Sequence, residues 1–593
     1  MPLSTYQQLL SLHTQELNKL KGKLSFLSTI RLISFIAGII CGYYFFITDR
    51  SLLLVLSIIL LGIFLYLIRR YDQTKKQYDT CKAIVQINQT EINLLNGQPS
   101  PYEEGNEYID PHHPYSYDLD LFGKSSLYGF INRTTTSFGR TTLAQTLLHP
   151  DTSVLEQRQE AIIELNKIIS FRQRLQAAGL LHSSEEKKLD RLTGWLTNDP
   201  VFKKSFHYYV LLIFPALAII MGTLFFITGT ELFKTITGLL VVLNLGIAFS
   251  FARSIISTIS LSGDINKTLK QFSDQLILLE KESFKAPILL KLQQGLKKDT
   301  VWASSSIKNL ASYFDQLDYV FNIFISPLLN GFFLYHVHVL FILDKWRATH
   351  RTHLMNWLQL IGEAESLSSF ACFYFNNPDF TIPTVTAKED LTTISMGHPL
   401  IRKEKRITND ISFLEKKFVV LTGSNMSGKS TFLRTLGINL LLARAGSAVC
   451  ATTFTFFPYD VYVSMRITDS LQDSESFFYA ELKRLQTIIS HLNAGNKTFI
   501  ILDEILRGTN SNDKHGGTIG LIHKLVSSKA CGIIATHDLS VGELAIEYPG
   551  YINNNCFESE IINNELKFDY KIKEGVCTKL SASFLMKKMG IIQ

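Results

Sequence analysis

Four long apolar runs constrain the fold of this 593-residue chain more than any other feature. They lie at about 32–47, 52–68, 208–227 and 236–251. Each is close to the roughly 20 residues that cross the hydrocarbon core of a bilayer as a helix. The runs form two pairs with short connections and charged flanks, and the hydrophobic content of the chain is 46%. The sequence therefore predicts two transmembrane helical hairpins rather than four buried core helices.

Positive charges outside the two pairs set the predicted orientation. The flanks carry Lys19, Lys21, Lys23, Arg69, Arg70, Lys75, Lys76, Lys203, Lys204 and Arg253. The two short connections within the pairs hold only two positively charged residues, Arg50 and Lys234. By the positive-inside rule both hairpin tips point outward, and the N-terminus and the C-terminal part lie in the cytoplasm. Residues 1–22 are polar, so no cleavable signal is expected. The predicted location is a bacterial-type inner (cytoplasmic) membrane, which the chain crosses four times.

A fifth apolar stretch, 319–343, is predicted to be a soluble, buried helix. Its polar residues and its proline are costly in hydrocarbon. They are Asn322, Pro327, Asn330, His336 and His338. An odd number of crossings would also put the C-terminal part outside the cell.

The remaining patterns divide the chain into three parts. Residues 154–179 and 265–296 have helical periodicity, and the helical character continues to residue 369. A linker is expected at 375–385, and after it short apolar strands alternate with helices. We predict an N-terminal segment with the first hairpin (1–110), an all-α region with the second hairpin (111–375), and an α/β domain (386–593). Seven cysteines without metal-ligand spacing favour neither a zinc site nor disulfides.

A phosphate-binding loop follows the first clear strand of the α/β part. The strand is 418–422, and the next nine residues read GSNMSGKST, matching G-x-x-x-x-G-K-[ST]. Such a loop wraps phosphates with backbone N–H groups at a helix N-terminus. We expect Lys429 to reach the β- and γ-phosphates and the Ser430 hydroxyl to bind Mg²⁺. The predicted phosphate-binding residues are Gly423, Ser424, Asn425, Met426, Ser427, Gly428, Lys429, Ser430 and Thr431.

Two further strands supply the rest of a predicted ATP-hydrolysing site. The strand 498–502 ends in Asp503 and Glu504. An aspartate at this place holds Mg²⁺ in P-loop enzymes, and a following glutamate orients the attacking water. A third strand, 532–536, ends in His537, where a side chain is placed to sense the γ-phosphate. The predicted catalytic residues are thus Lys429, Glu504 and His537, with Ser430 and Asp503 as metal ligands.

These motifs resemble those of the MutS family of mismatch-repair ATPases, which are related to the ABC ATPases. GSNMSGKST is similar to the family's GPNMGGKST, and residues 501–513 (ILDEILRGTNSND) to LLDEIGRGTSTFDG. Ala535-Thr536-His537 matches the family's ATH switch, and His398-Pro399 its HP dipeptide. Residues 466–482 resemble the signature segment and place Ser476 and Glu481 at its serine and glutamate. Ser474 and Glu475 replace the glycine and arginine that precede that serine.

The resemblance implies a fold, an oligomer and a mode of action. It implies an α/β P-loop ATPase domain of ABC/MutS type, preceded by a helical core/lever domain that here carries the second hairpin. It also implies a homodimer in which Ser476 reaches the γ-phosphate held by the other subunit. The family's N-terminal mismatch-reading domain, with its F-x-E wedge, has no counterpart, and a membrane hairpin stands in its place.

The sequence leaves more than one hypothesis for the process that ATP hydrolysis would drive. The first hypothesis is a membrane-anchored ATPase that binds double-stranded DNA. Basic residues of the middle region suit phosphates, although such charges more often form a solvated helix face. These are Lys285, Lys291, Lys297, Lys298 and Lys308. The alternative is a membrane mechanoenzyme or scaffold that acts on a protein partner without DNA. A transporter is disfavoured, because the spans contain no charged residue that would mark a substrate path.

Overall fold

The computed structural model describes residues 2–181, 186–197, 199–202, 205–298, 300–321, 324–424, 426–466, 477–507, 509–562, 565–577 and 591. A mostly helical N-terminal region is followed by a C-terminal region with two sheets, which confirms the predicted order of an all-α and an α/β part. The helices of the first region are α1 (Pro2–Thr48), α2 (Ser51–Leu95), α3 (Leu127–Ile131), α4 (Ser137–Leu148), α5 (Leu155–Lys167), α6 (Ile169–Leu180), α7 (Glu186–Thr197), α8 (Ser205–Leu211), α9 (Ile213–Thr228), α10 (Glu231–Ser250), α11 (Ala252–Lys281), α12 (Pro287–Gly295), α13 (Ala303–Leu317), α14 (Ile325–Phe333) and α15 (Tyr335–Asn376). A two-residue antiparallel pair, β1 (Lys297–Lys298) and β2 (Val301–Trp302), precedes α13.

Four helical segments of the described chain are long and apolar enough to cross a membrane: α1, α2, Tyr208–Thr228 and α10. Only 11% of the most apolar window of each is buried. Phe46, Leu52, Phe226 and Phe249 are each at least 78% exposed. Side chains of this kind are costly in water, so these surfaces suit a lipid environment.

Helices α1 and α2 extend well beyond their apolar runs, and their polar halves pack on the helical region. The Tyr6 hydroxyl donates to Asn376 Oδ1 at 2.9 Å. Glu91, near the end of α2, pairs with Arg133 in a buried contact. The Asn376 side-chain amide also donates to Glu91 Oε2 at 2.8 Å. The first hairpin is therefore fixed at its base to the C-terminal end of α15.

The prediction of one buried helix over 319–343 is wrong. The described part of this stretch contains a 3₁₀ turn, α14 and the start of α15, and the two helices meet at an angle of 72°. Leu334, with a φ of 48°, lies at the break. Leu328 and Phe333 are 62% and 53% exposed rather than buried. The break is possible because the side chain of Asn330 binds the backbone N–H of His336 at 3.2 Å, which replaces a lost helical partner.

Three other sequence-based boundaries also change. The helix expected at 154–179 is interrupted at Ile168, which lies outside helical geometry between α5 and α6. The helix expected at 265–296 is divided into α11 and α12. The linker expected at 375–385 is partly ordered, because Phe380 is buried and Thr381 pairs with Val449. Apolar contacts and backbone pairing thus attach this segment to the C-terminal region.

The C-terminal region contains a six-stranded and a four-stranded sheet. Its strands are β3 (Thr384–Val385), β4 (Leu391–Met396), β5 (Asn409–Ser412), β6 (Phe418–Gly423), β7 (Thr453–Phe456), β8 (Asp460–Ser464), β9 (Thr498–Asp503), β10 (Cys531–Thr536), β11 (Ile552–Ile562) and β12 (Glu565–Glu574). Its helices are α16 (Lys429–Arg444), α17 (Phe477–Asn493), α18 (Ser511–Ser527) and α19 (Leu544–Glu547). The larger sheet has the order β12-β11-β6-β10-β9-β8, in which β11, β6, β10, β9 and β8 run parallel to one another and β12 is antiparallel to β11. The smaller sheet has the order β3-β7-β4-β5.

One hydrophobic core joins the two regions. It includes Leu119 and Phe370 of the helical part together with Val419 and Leu436 of the α/β part, all fully buried. Gly437 of α16 lies against Leu119, because an added Cβ would be 2.8 Å from Leu119 Cδ2. The helix that follows the predicted phosphate-binding loop is therefore packed directly on the helical region.

A buried carboxylate, Glu365 of α15, organises the entry to α4. It accepts backbone N–H groups of Thr135 (3.3 Å) and Thr136 (3.1 Å) and the Thr136 hydroxyl (2.7 Å). The Gln275 side-chain amide donates to it at 2.8 Å. A negative charge at the N-terminus of α4 is also favourable to the helix dipole.

We predict that Glu365→Ala lowers the free energy of unfolding by about 3 kcal/mol, because several buried donors lose their acceptor at once. Denaturant unfolding of the purified protein measures this change. The exposed Glu107 supplies the control, and Glu107→Ala should stay within about 0.5 kcal/mol of wild type. Equal effects of the two substitutions would contradict the role given to Glu365.

Candidate functional site

The loop between β6 and α16 has the geometry of a phosphate cradle. Gly428, with a φ of 105°, occupies the left-handed region that favours glycine, and Met426 also has a positive φ of 67°. The Lys429 ammonium donates to the carbonyl oxygens of Gly423 at 2.8 Å and of Ser424 at 3.0 Å. Burial lowers the pKa of Lys429. The backbone of the loop thus holds this ammonium at the N-terminus of α16, where helix amides are free to bind anions.

The ends of three parallel strands meet beside this loop. In the sheet register Thr422 is opposite Thr536, and Asp503 is opposite Ala535. The Ser430 hydroxyl donates to Asp503 Oδ2 at 2.6 Å. Asp503 is 6% exposed, and its Oδ1 is buried without a hydrogen bond among the described residues. The hydroxyl and the carboxylate predicted to bind a metal are therefore adjacent.

Glu504 and His537 form an ion-pair contact at the same edge of the sheet. Glu504 Oε1 contacts His537 Nε2, and His537 Nδ1 donates to the Gly423 carbonyl at 2.8 Å. The hydrogen bond from His537, with the charges of His537, Arg507 and Lys429, lowers the pKa of Glu504 to about 2. A carboxylate with so low a pKa is a weak proton acceptor. In this geometry Glu504 is suited to orient water rather than to take its proton.

A second carboxylate fixes the loop after Glu504. Glu481 of α17 is 2% exposed and accepts the backbone N–H groups of Leu506 at 2.7 Å and Arg507 at 3.2 Å. Glu504 and Leu506 have positive φ values of 50° and 58°. Non-glycine residues rarely adopt this conformation, so the surrounding contacts must maintain it. The Arg507 guanidinium contributes by donating to the carbonyls of Asp503 and Glu504 at 3.0 and 2.9 Å.

A cavity of about 440 Å³ lies beside the loop, within the usual range for small-molecule sites. Its wall is formed by the loop, by residues between β4 and β5, and by β11 and β12. Its described lining includes Met396, His398, Ile401, Lys405, Ile407, Asn409, Met426, Phe557 and Tyr570. The Tyr570 ring lies against Gly428, because an added Cβ there would be 3.0 Å from Tyr570 Cδ1. Burial and the charges of Arg434 and Arg406 lower the pKa of His398 to about 4, so its imidazole is neutral at pH 7.

The structure brings most of the predicted site residues together. Lys429, Ser430, Asp503, Glu504 and His537 lie at one edge of the sheet, as the motifs predicted. The Ser424 and Ser427 hydroxyls are buried without hydrogen bonds among the described residues. Asn425 and the predicted signature residue Ser476, with Ser474 and Glu475, lie outside the described residues.

Sequence reasoning did not select several residues of the cavity. Tyr570 and Phe557 come from the last two strands, far from any motif, and only the sheet order brings them to the loop. His398 was noted for the resemblance alone, and Asn409 is the first residue of β5. Their place in the cavity wall depends on the smaller sheet, which the strand pattern does not predict.

Comparisons with known proteins find similarity in the part of the chain that contains this site. Residues 419–589 match the family model MutS domain V. The chain is 29% identical to MutS protein homolog 4 of Homo sapiens over 253 residues, which are 41% of this chain and 25% of the relative. It is 30% identical to the DNA mismatch repair protein MutS of Thermotoga maritima over 251 residues, which are 41% of this chain and 30% of the relative. The chain thus spans between a quarter and a third of the length of these relatives.

We predict that Glu481→Ala loosens the loop at 505–507 without unfolding the domain. Two buried amides lose their acceptor, at a local cost of about 2 kcal/mol. Hydrogen exchange of peptides covering 505–507 should become roughly 30-fold faster, since 1.4 kcal/mol is tenfold. Glu481→Gln keeps one acceptor oxygen and should give an intermediate rate. Unchanged exchange in Glu481→Ala would show that the loop does not depend on this carboxylate.

Proposed function

Since its C-terminal part belongs to the MutS family, we propose that this chain is a membrane-anchored, Mg²⁺-dependent ATPase that works as a dimer and binds DNA. One observation carries the ATPase part of the proposal. Lys429, the Ser430–Asp503 pair and the Glu504–His537 pair converge at the carboxyl ends of adjacent parallel strands, next to a cavity of about 440 Å³. This edge of an α/β sheet is where nucleotides bind.

The donors beside the loop fit a magnesium ion. Mg²⁺ takes oxygen ligands at about 2.0–2.1 Å and keeps few protein ligands, with phosphate oxygens and waters completing its octahedron. The Ser430 and Asp503 oxygens are 2.6 Å apart, close to the roughly 2.9 Å that separates neighbouring ligands of such an ion. Asp503 Oδ1 is a further acceptor without a partner among the described residues. When bound, the ion would neutralise charge on the phosphates.

The remaining groups have complementary roles. Lys429 binds the β- and γ-phosphates, and the amides of the loop surround them. Glu504 positions the attacking water, and His537, which contacts both Glu504 and the Gly423 carbonyl, links the water site to the phosphate loop. The cavity side with Tyr570 and Ile407 offers an aromatic and an aliphatic surface for the base of the nucleotide.

The membrane anchor is supported by exposure. The apolar windows of α1, α2, Tyr208–Thr228 and α10 leave most of their side chains outside the protein core. Helices satisfy their own backbone hydrogen bonds and are therefore the form in which such surfaces enter lipid. We propose four crossings of an inner membrane, with both termini in the cytoplasm.

The dimer and DNA are proposed from the relatives. Both relatives are named as MutS proteins, and one of them is named for DNA mismatch repair. The resemblance to the MutS family implies the pairing of two ATPase domains. The positions of the basic residues do not by themselves select DNA. Lys285, Lys291, Lys297 and Lys308 are exposed, and Lys308 also lines a cavity shared with Asp72 and Asp274. A protein partner without DNA therefore remains the second candidate, because that cavity carries charges of both signs.

We predict that Glu504→Gln lowers the rate of ATP hydrolysis at least 100-fold while nucleotide binding persists, because the water loses its charged acceptor. Lys429→Ala should instead weaken nucleotide binding itself. Hydrolysis by the purified protein and binding of a fluorescent ATP analogue separate the two effects. The exposed Glu543 serves as control, and Glu543→Gln should hydrolyse ATP at the wild-type rate. Normal turnover by Glu504→Gln would refute its assigned role.

For the partner, we predict that duplex DNA binds the detergent-solubilised protein and that the affinity falls steeply as salt rises. ATP hydrolysis measured with perfect duplex, mismatched duplex and single strands shows which form changes the rate. If the mismatch-reading domain is missing, perfect and mismatched duplex should act alike. The absence of duplex binding at low salt would favour the protein-partner alternative.

A further inference from the structure

We propose that α14 is a re-entrant membrane element, which enters the cytoplasmic leaflet and returns to the same face. This inference rests on the proposed membrane anchor and adds a fifth lipid-contacting element to it. The stretch that contains α14 has no Asp, Glu, Lys or Arg between Asp318 and Asp344. Together α14 and the start of α15 are apolar enough to pass as one span, but they are bent by 72°.

The contacts of α14 with α10 indicate the depth of α14 in the membrane. A Cβ at Gly331 would lie 2.9 Å from Val241 Cγ1 and 3.8 Å from Leu245 Cγ. Leu334, at the bend, packs in a small cluster with Ala248. Positions 241 to 248 precede Ser250, the end of α10, by two to nine residues, or about 3 to 14 Å along the helix. The half-thickness of a hydrocarbon core is about 15 Å, so α14 lies beside the cytoplasmic half of the α10 span.

The flanks of the stretch lie together, which excludes a complete crossing. The Trp346 indole N–H of α15 donates to the Ser306 carbonyl of α13 at 3.0 Å. Asp344 accepts the backbone N–H of Phe202 at 2.9 Å, just before the second hairpin begins. The chain therefore leaves the cytoplasmic side of the membrane after α13 and returns to the same side in α15. A full span would have placed the two flanks on opposite faces of the membrane.

Asparagine side chains replace backbone hydrogen bonds that are lost where the helix is broken. At a break, carbonyl and N–H groups lose their helical partners, and hydrocarbon offers no replacement. The Asn244 side-chain amide of α10 donates to the Gly331 carbonyl at 2.7 Å. Asn330 Oδ1 accepts the backbone N–H of His336 at 3.2 Å. Asn244, Asn330 and His336 are all at most 6% exposed, so the polar atoms of the bend face the protein.

The outer face of α14 is apolar and continuous with the second hairpin. Leu328 is 62% exposed and Phe333 53% exposed. On the adjacent α10, Val242 is 68% exposed and Leu239 67% exposed. An aqueous surface would not favour such a patch, whereas the acyl chains that surround the hairpin would cover it. The occupant of this face is therefore lipid.

Site-specific fluorescence tests the inference in the whole 593-residue chain. Because Cys41 is partly exposed and the other cysteines are buried, Cys41→Ala provides the background. Leu328→Cys, Val242→Cys and Leu414→Cys each carry an environment-sensitive dye. The labelled proteins are placed in phosphatidylcholine vesicles with or without brominated acyl chains. Quenching is then measured with those chains and separately with aqueous cobalt.

We expect brominated chains to quench the dye at 328 and 242, and cobalt to quench mainly the dye at 414, an exposed position of the ATPase domain. Phe333→Cys, at the other end of α14, should behave like Leu328→Cys. If the dyes at 328 and 333 respond to cobalt like the dye at 414 while 242 responds to lipid, the re-entrant element is refuted and the anchor stands. If 242 also responds only to cobalt, the anchor and the inference both fail.

The asparagine at the bend provides a second test. Asn244→Leu leaves the Gly331 carbonyl without its donor, and we expect cobalt quenching at 328 to increase at least twofold as the bend is displaced. Leu243→Ala, at a partly exposed neighbour on the same helix, should leave quenching at 328 unchanged. Equal quenching in the two variants would overturn the role given to Asn244.

Discussion

The buried carboxylate of Asp118 makes the interaction that connects the helical region to the proposed nucleotide site. Its Oδ1 accepts the backbone N–H groups of Met465 and Arg466, each at 2.7 Å, and its Oδ2 pairs with Arg484 of α17. Because Asp118 is fully buried, loss of Arg484 would leave an uncompensated charge. The position of α17 therefore depends on the helical region. Since α17 carries Glu481, so does the loop after Glu504.

A second connection runs along α15, from the bend at Leu334 to the junction with the sheets. At about 1.5 Å per residue a helix over Tyr335–Asn376 is roughly 60 Å long. Its upper end contacts the second hairpin through Val337 and Ala248, and its lower end binds the base of the first hairpin through Asn376. Both hairpins thus contact the same helix, which shares one hydrophobic core with the sheet that holds the loop.

The sequence was sufficient for the parts that local rules determine. The strand, loop and helix around Lys429 follow from glycine spacing and apolar runs, and parallel strands must place Asp503 and His537 at one edge. The breaks at Ile168 and Leu334 were missed, because the apolar pattern continues through them. Beside Leu334 the backbone groups of the break are bonded by Asn330 and by Asn244, and Asn244 lies 90 residues before Leu334, where no local pattern reports it. Tyr570 was missed for the same reason, since only the sheet order brings it to Gly428.

Each side chain of the proposed site already makes a hydrogen bond or ion pair within the protein. A ligand would have to replace these interactions in order to bind. Lys429 is bound by two loop carbonyls, Ser430 by Asp503, and Glu504 by His537. Phosphates, a cation and water would exchange these bonds rather than add to them, so the net gain of each is modest. The exchange nevertheless has to move Glu504 relative to His537. Glu481 holds the adjacent loop and Asp118 holds α17, so a continuous set of contacts runs from Glu504 to the helical region.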